Sequence, residues 1–171
     1  MNFLEKELEE IIYEASSDEL QKRGLYLSGK LYRQLRIGNY GIADLVEFKR
    51  PCAHEGQPTH IMKGLVNVIE LKKENIGISA FLQALGYIQG IKRYLQKRDV
   101  EGNYNYSITL IGKSVDTNST FVYLPNMLSI NTENGIYDEP EFGLYLYEYK
   151  YGLDGINFKS ANGYTLINEG F

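Results

Sequence analysis

The sequence predicts a mixed α/β domain, with a mixed central sheet flanked by helices and a β-rich C-terminal extension. Three observations carry that expectation. Residues 79–98 hold an amphipathic run with a clear apolar stripe. Short blocks rich in β-branched, aliphatic and aromatic residues lie before and after it, separated by Gly, Asn and Asp. The chain has 171 residues, 43% of them hydrophobic, enough for one domain with its own core and no metal or disulfide to hold it.

Taken in order, residues 3–15 form a helix, because Leu4, Leu8, Ile11, Ile12 and Ala15 share one face while Glu7, Glu10 and Glu14 lie away from it. SSDELQKRG breaks that pattern, and Gly24 and Gly29 punctuate the passage onward. KLYRQLRIG (30–38) reads as a strand, although Arg33 interrupts its apolar side. GIADLVEFKR (41–50) is a second strand after a turn at Asn39-Tyr40-Gly41, and PCAHEGQPTH (51–60) is a loop. LVNVIELKKE (65–74) lacks polar alternation through VNVIEL, as expected of a strand covered on both faces.

The helix at 79–98 starts at a Ser79 cap and buries Phe81, Leu82, Leu85, Ile88, Ile91 and Leu95. Gly86 and Gly90 allow it to lie close to the sheet, and Lys92, Arg93, Lys97 and Arg98 suit its C-terminal dipole. SITLIGK, TFVYLP, GLYLYEYKYG and YTLIN follow as further strands. No repeat or low-complexity linker divides the chain. It therefore reads as one domain, with a core over about 3–125 and the extension over about 126–171.

A net charge of −4 argues against a polycation that coats nucleic acid without regard to sequence. The single cysteine, Cys52, excludes an internal disulfide and fits a reducing cytoplasm. No apolar run approaches a membrane span, and MNFLEKELEE is too acidic for a signal peptide. Two histidines leave little room for chemistry built on several imidazoles.

The sharpest chemical signal is Asp44 with Glu70 and Lys72. Side chains repeat every two residues along a strand, so Glu70 and Lys72 share a face. If the strand around Asp44 pairs with theirs, two carboxylates meet in the middle of a sheet. They repel and desolvate badly unless a cation lies between them. An oxygen-seeking ion, Mg²⁺ or Mn²⁺, resolves the conflict, and the Leu71 carbonyl is a further ligand. Lys72 is then placed to orient or deprotonate an attacking water, or to stabilise charge on a phosphate.

Asp44 in YGIADLV, Glu70-Leu71-Lys72 in VNVIELKK, and Gln83 with Tyr87 in FLQALGY resemble the PD-(D/E)XK nuclease superfamily. The nearest pattern is its recombination-exonuclease-like and resolvase-like branches, which carry a Q-x-x-x-Y helix. The resemblance implies a restriction-endonuclease-like core in which a helix precedes a three-strand meander, then a second helix and another strand. It also implies a Mg²⁺- or Mn²⁺-dependent deoxyribonuclease, with DNA as partner and with Asp44, Glu70, Lys72, Gln83 and Tyr87 as site residues. Many members add a glutamate from the first helix. Glu5 and Glu9 share a face here, and Glu5 is favoured. Ala43 stands where the family often has proline, and residues 51–64 then make an extended hairpin loop.

Other patterns compete. E-x-K occurs three times, at Glu47/Lys49, Glu70/Lys72 and Glu148/Lys150, and only the second has both a partner aspartate upstream and a helix after it. Glu148 does have Asp138 before it. GLYLSGK (24–30) nearly spells a phosphate-binding loop, but Leu31 replaces the hydroxyl residue that would bind magnesium. Cys52, His54 and His60 are scattered zinc-ligand types. The tyrosines of 137–151 fit a packed hairpin better than a base-stacking surface. The alternative to a nuclease is a non-catalytic module of the same fold that binds nucleic acid or a protein partner. A homodimer, or a partner that delivers substrate, is compatible with either.

Overall fold

A computed structural model of the protein describes residues 5–54, 56–118, 120–128 and 142–162. YTLIN and Asp138 lie outside the described residues. The fold is mixed α/β, built on a six-stranded mixed sheet. Helix α1 (Glu5–Glu14) and the short α2 (Ser17–Lys22) lead into β1 (Lys30–Arg36) and β2 (Ile42–Lys49). A small hairpin, β3 (Cys52–His54) and β4 (Gln57–Met62), connects to β5 (Gly64–Leu71). After β6 (Asn75–Ile76) comes the long helix α3 (Ile78–Gln96), then β7 (Tyr104–Gly112) and β8 (Ser114–Val115). Helix α4 (Leu124–Leu128) precedes β9 (Phe142–Gly152) and β10 (Gly155–Ser160).

The strand order is β1-β2-β5-β7-β9-β10. β1, β2 and β5 form an antiparallel meander. β5, β7 and β9 run parallel, and β10 returns antiparallel to β9. The parallel step from β5 to β7 requires a crossover, which α3 supplies. Helix α3 packs Ala80, Phe81, Ala84 and Ile88 against Val46, Val66, Val68, Ile108 and Leu110 on one face. Leu8 and Ile12 of α1, with Leu20 of α2, cover Leu45, Ile69, Leu71 and Ile111 on the other. β5 is therefore buried almost throughout, which explains why its sequence shows no polar alternation. β9 and β10 belong to the same sheet as the meander, so the C-terminal strands extend the central sheet itself.

Several local expectations are corrected. SSDELQKRG is not only a break: it forms α2, whose Glu19 N–H donates to the Ser16 hydroxyl at 3.2 Å. Gly77, not Ser79, precedes α3. The buried face of α3 is rotated from the expected stripe, leaving Leu82 57% exposed while Ala80, Ala84 and Gly90 face inward. Small residues win that face because they let the helix approach closely. A Cβ at Gly90 would lie 2.5 Å from Ile37 Cγ2, whereas nothing stands within 4 Å of one at Gly86. TFVYLP is helical, not extended: residues Thr120–Tyr123 form a 3-10 turn that runs into α4. Pro125 falls in the first turn there, where a missing N–H costs no hydrogen bond.

Candidate active site

The β2–β5 ladder ends at Leu45 opposite Ile69. One step further, Asp44 and Glu70 would face each other, and there the strands part. The Leu71 N–H donates to Asp44 Oδ2 at 2.9 Å instead of to a β2 carbonyl, while the Lys72 N–H stays in the sheet on Ile111 O at 2.8 Å. Leu71 thus joins the site through its N–H. On the other side of Asp44 the β1–β2 ladder also skips a pair, running from Arg33–Leu45 to Leu35–Ala43. The skipped residue of β1, Gln34, has φ +49°, a left-handed conformation that is uncommon for a non-glycine residue and concentrates at functional sites.

Lys72 Nζ donates to Glu70 Oε1 at 2.9 Å and to Gln83 Oε1 at 3.4 Å. Gln83 Nε2 donates in turn to the Tyr87 hydroxyl at 2.9 Å. The spacing of Gln83 and Tyr87 on α3 allows that bond, and Tyr87 is otherwise buried in the helix–sheet core. Glu70 Oε2 is different: it is buried and has no hydrogen-bond partner. Burial, then the charge of Asp44, push the Glu70 carboxyl up to about 7 despite the pull of Lys72. Burial also raises Asp44, against the Leu71 N–H and Lys72, with Glu9 and Glu5 pushing the same way as burial. For Lys72, burial works against the ammonium, but the hydrogen bond and charge of Glu70 outweigh it and hold its pKa above the ordinary value. The site is short of positive charge.

Helix α1 contributes two glutamates. Glu5 Oε1 accepts the Lys73 N–H at 3.1 Å, which ties the helix start to the end of β5. Glu9 is buried and held by both Arg33 and Gln34. Neighbours on a regular strand point to opposite faces, so two successive residues can grip one carboxylate only if the strand kinks between them. The left-handed Gln34 is that kink. The sequence favours Glu5 over Glu9 and offers Arg33 as a phosphate contact, whereas the structure spends Arg33, together with Gln34, on the buried Glu9. The available signal was Arg33 itself, a charge on the apolar side of β1.

The structure therefore joins Asp44, Glu70, Lys72, Gln83, Tyr87 and Glu5 in one linked cluster. It also separates the three E-x-K glutamates. Glu47 is consumed: Oε1 accepts the N–H groups of Ser28 and Gly29 at 2.7 Å each, and Oε2 accepts from Asn67 at 3.0 Å. That accounts for the GLYLSGK loop, whose amides hold the chain's own carboxylate and not a phosphate. Glu148 Oε1 accepts the Val115 N–H at 3.2 Å. Of the three, only Glu70 keeps an oxygen that is both buried and without a partner.

Among the described residues no three His, Cys, Asp or Glu side chains gather as a ready-made metal cluster. Two carboxylates with raised pKa and an unpartnered buried oxygen nonetheless fit a divalent ion that prefers oxygen and keeps waters in its shell. Cys52 is exposed, and the side chains of His54 and His60 lie outside those described. Among the described residues no helix is long and apolar enough to cross a membrane. No protein-family model, no curated protein and no solved structure matches the chain.

Proposed function

We propose that the chain is a metal-dependent nuclease that hydrolyses phosphodiester bonds in DNA, on a restriction-endonuclease-like variant of the α/β fold. One observation carries the reading: the buried, unpartnered Glu70 Oε2 beside Asp44, two carboxyl groups whose charge burial disfavours. Asp44 and Glu70, with the Leu71 carbonyl, are the residues that would hold Mg²⁺ or Mn²⁺. Such an ion supplies Lewis-acid polarisation of a phosphoryl oxygen and lowers the pKa of water. Glu70 must give up its proton for the ion to bind, so binding tightens as pH rises through about 7.

Lys72 stays protonated at neutral pH, because its pKa is raised. Its role is therefore to donate hydrogen bonds and stabilise charge that builds on the phosphate, not to take a proton from water. Gln83 accepts a second hydrogen bond from Lys72, and Tyr87 orients Gln83. Glu5 fixes the backbone just after Lys72.

The test is cleavage of labelled single- and double-stranded DNA with Mg²⁺ or Mn²⁺. Asp44→Asn, Glu70→Gln and Lys72→Ala should each lose about 100-fold or more. Equal rates in all four proteins would remove the site. A non-catalytic nucleic-acid or protein-binding module is the second reading, and it draws on the lack of a three-ligand cluster among the described residues. It requires calorimetric titration with Mn²⁺ to give no heat in wild type, where the nuclease reading requires binding that Asp44→Asn abolishes.

A further inference from the structure

A groove of about 830 Å³ opens between the C-terminal half of α3 and the strands β1, β2 and β5. Its floor is apolar, made by Val46, Phe48, Val66 and Ile91, and no Asp or Glu lines it. Arg36, Arg93 and Lys97 stand at its walls, and among the described residues none of the three forms an ion pair. The chain as a whole is acidic, so this concentration of unneutralised cations marks where an anion is welcome. The rim also carries exposed tyrosines, each with a cation over its ring. Arg98 lies 3.7 Å from the centroid of Tyr94, Arg93 5.7 Å from that of Tyr40, and Lys30 5.1 Å from that of Tyr32.

We infer that this groove binds an unpaired DNA strand, with bases over the apolar floor and tyrosine rings and phosphates on Arg36, Arg93 and Lys97. Aromatic rings interleaved with cations are what a single strand requires, since every base offers a face to stack and every link offers a charge. A fatty acid or an acidic helix would use the apolar floor and the charge but would not need the cation-backed rings. The groove also has the right position. Val46 and Phe48 follow Asp44 on β2, at about 7 and 14 Å along a strand that rises about 3.4 Å per residue. Val66 alternates onto the same face as Glu70 on β5. A strand seated there would run toward the carboxylates within a few nucleotides, at about 3.4 Å per stacked phosphate. The inference rests on the nuclease reading for its choice of nucleic acid, and it names the substrate as DNA with an unpaired segment.

The experiment is fluorescence anisotropy of a labelled oligothymidylate of about 12 nucleotides, with the full chain in EDTA so that no cleavage occurs. Tyr32→Ala and Tyr94→Ala should each weaken binding about tenfold, with Tyr94→Phe restoring it. Arg93→Gln should reduce the salt dependence of log K by about 0.7. Unlabelled duplex and an abasic oligomer of the same length should compete at least about tenfold less well than oligothymidylate. No saturable binding, equal competition by the abasic oligomer, or unchanged affinity in both alanine variants would overturn the proposal. So would a glutamate-rich amphipathic peptide that binds in a Tyr32- and Tyr94-dependent way while the oligonucleotide does not. Cleavage without groove-dependent binding sinks this inference and leaves the nuclease reading standing. Groove-dependent binding without cleavage does the reverse.

Discussion

Glu70→Gln in the metal-free protein makes a measurable statement about pH. The carboxyl moves from an ordinary 4.5 to about 7 on folding, because burial and Asp44 disfavour its charge more than Lys72 favours it. Between those two values the folded chain keeps a proton that the unfolded chain has released. Stability therefore falls as pH rises through the window and is level on either side of it. At about 1.4 kcal/mol per pH unit the loss comes to about 3 kcal/mol, a large share of the stability of a domain this size. The glutamine variant keeps the shape and lacks the titration. Urea denaturation in EDTA from pH 4 to 8 should therefore show Glu70→Gln gaining on wild type by about 3 kcal/mol, with most of the gain between pH 4.5 and 7. Two stability curves that run parallel across that range would mean that Glu70 is not held protonated, and the account of the site's electrostatics would fail.

Four further outcomes follow. At pH 8, Mn²⁺ at about 100 times its dissociation constant should stabilise wild type by about 2.7 kcal/mol in thermal or urea denaturation, and Asp44→Asn by almost nothing. Gly90→Ala should cost about 1–3 kcal/mol by overpacking against Ile37 and Tyr40, whereas Gly86→Ala should add about 0.5–1 kcal/mol to stability. Arg33→Met should lower the urea midpoint by leaving the buried Glu9 carboxylate with Gln34 alone, and adding Glu9→Leu to it should recover part of the loss. Lys72→Arg should retain more nuclease activity than Lys72→Ala, since the role assigned to Lys72 is charge and not proton transfer.

Much of the fold was legible because its signals are local. The lack of polar alternation through VNVIEL announced a strand covered on both faces, and β5 is buried on both. α1 shows its 3.6-residue period in plain view, and Leu8 and Ile12 are in the core as that period requires. TFVYLP failed because a short apolar run has no period long enough to separate strand from helix, and Pro125 settles the matter only through its position in a turn. The stripe of α3 was misplaced because Leu82 and Leu85 look more like core than Ala84 and Gly90 do. Which face wins depends on how close the sheet lies, and that distance is absent from the helix's own sequence.

The sequence by itself determined the residue types and the spacing that make the candidate site worth considering: Asp44, the Glu70–Lys72 pair, and Gln83 one turn before Tyr87. Alternation and helical period suffice for that, since both act between near neighbours. The tertiary structure decided which of three identical E-x-K patterns has carboxylate oxygen to spare. Glu47 has both oxygens taken by Ser28, Gly29 and Asn67, Glu148 holds the Val115 N–H on Oε1, and only Glu70 of the three keeps a buried oxygen without a partner. It also gave Glu9 its buried place and Gln34 its left-handed turn. Hydrogen-bond satisfaction is settled by groups far apart in the chain, and only the folded sheet brings them within reach of one another.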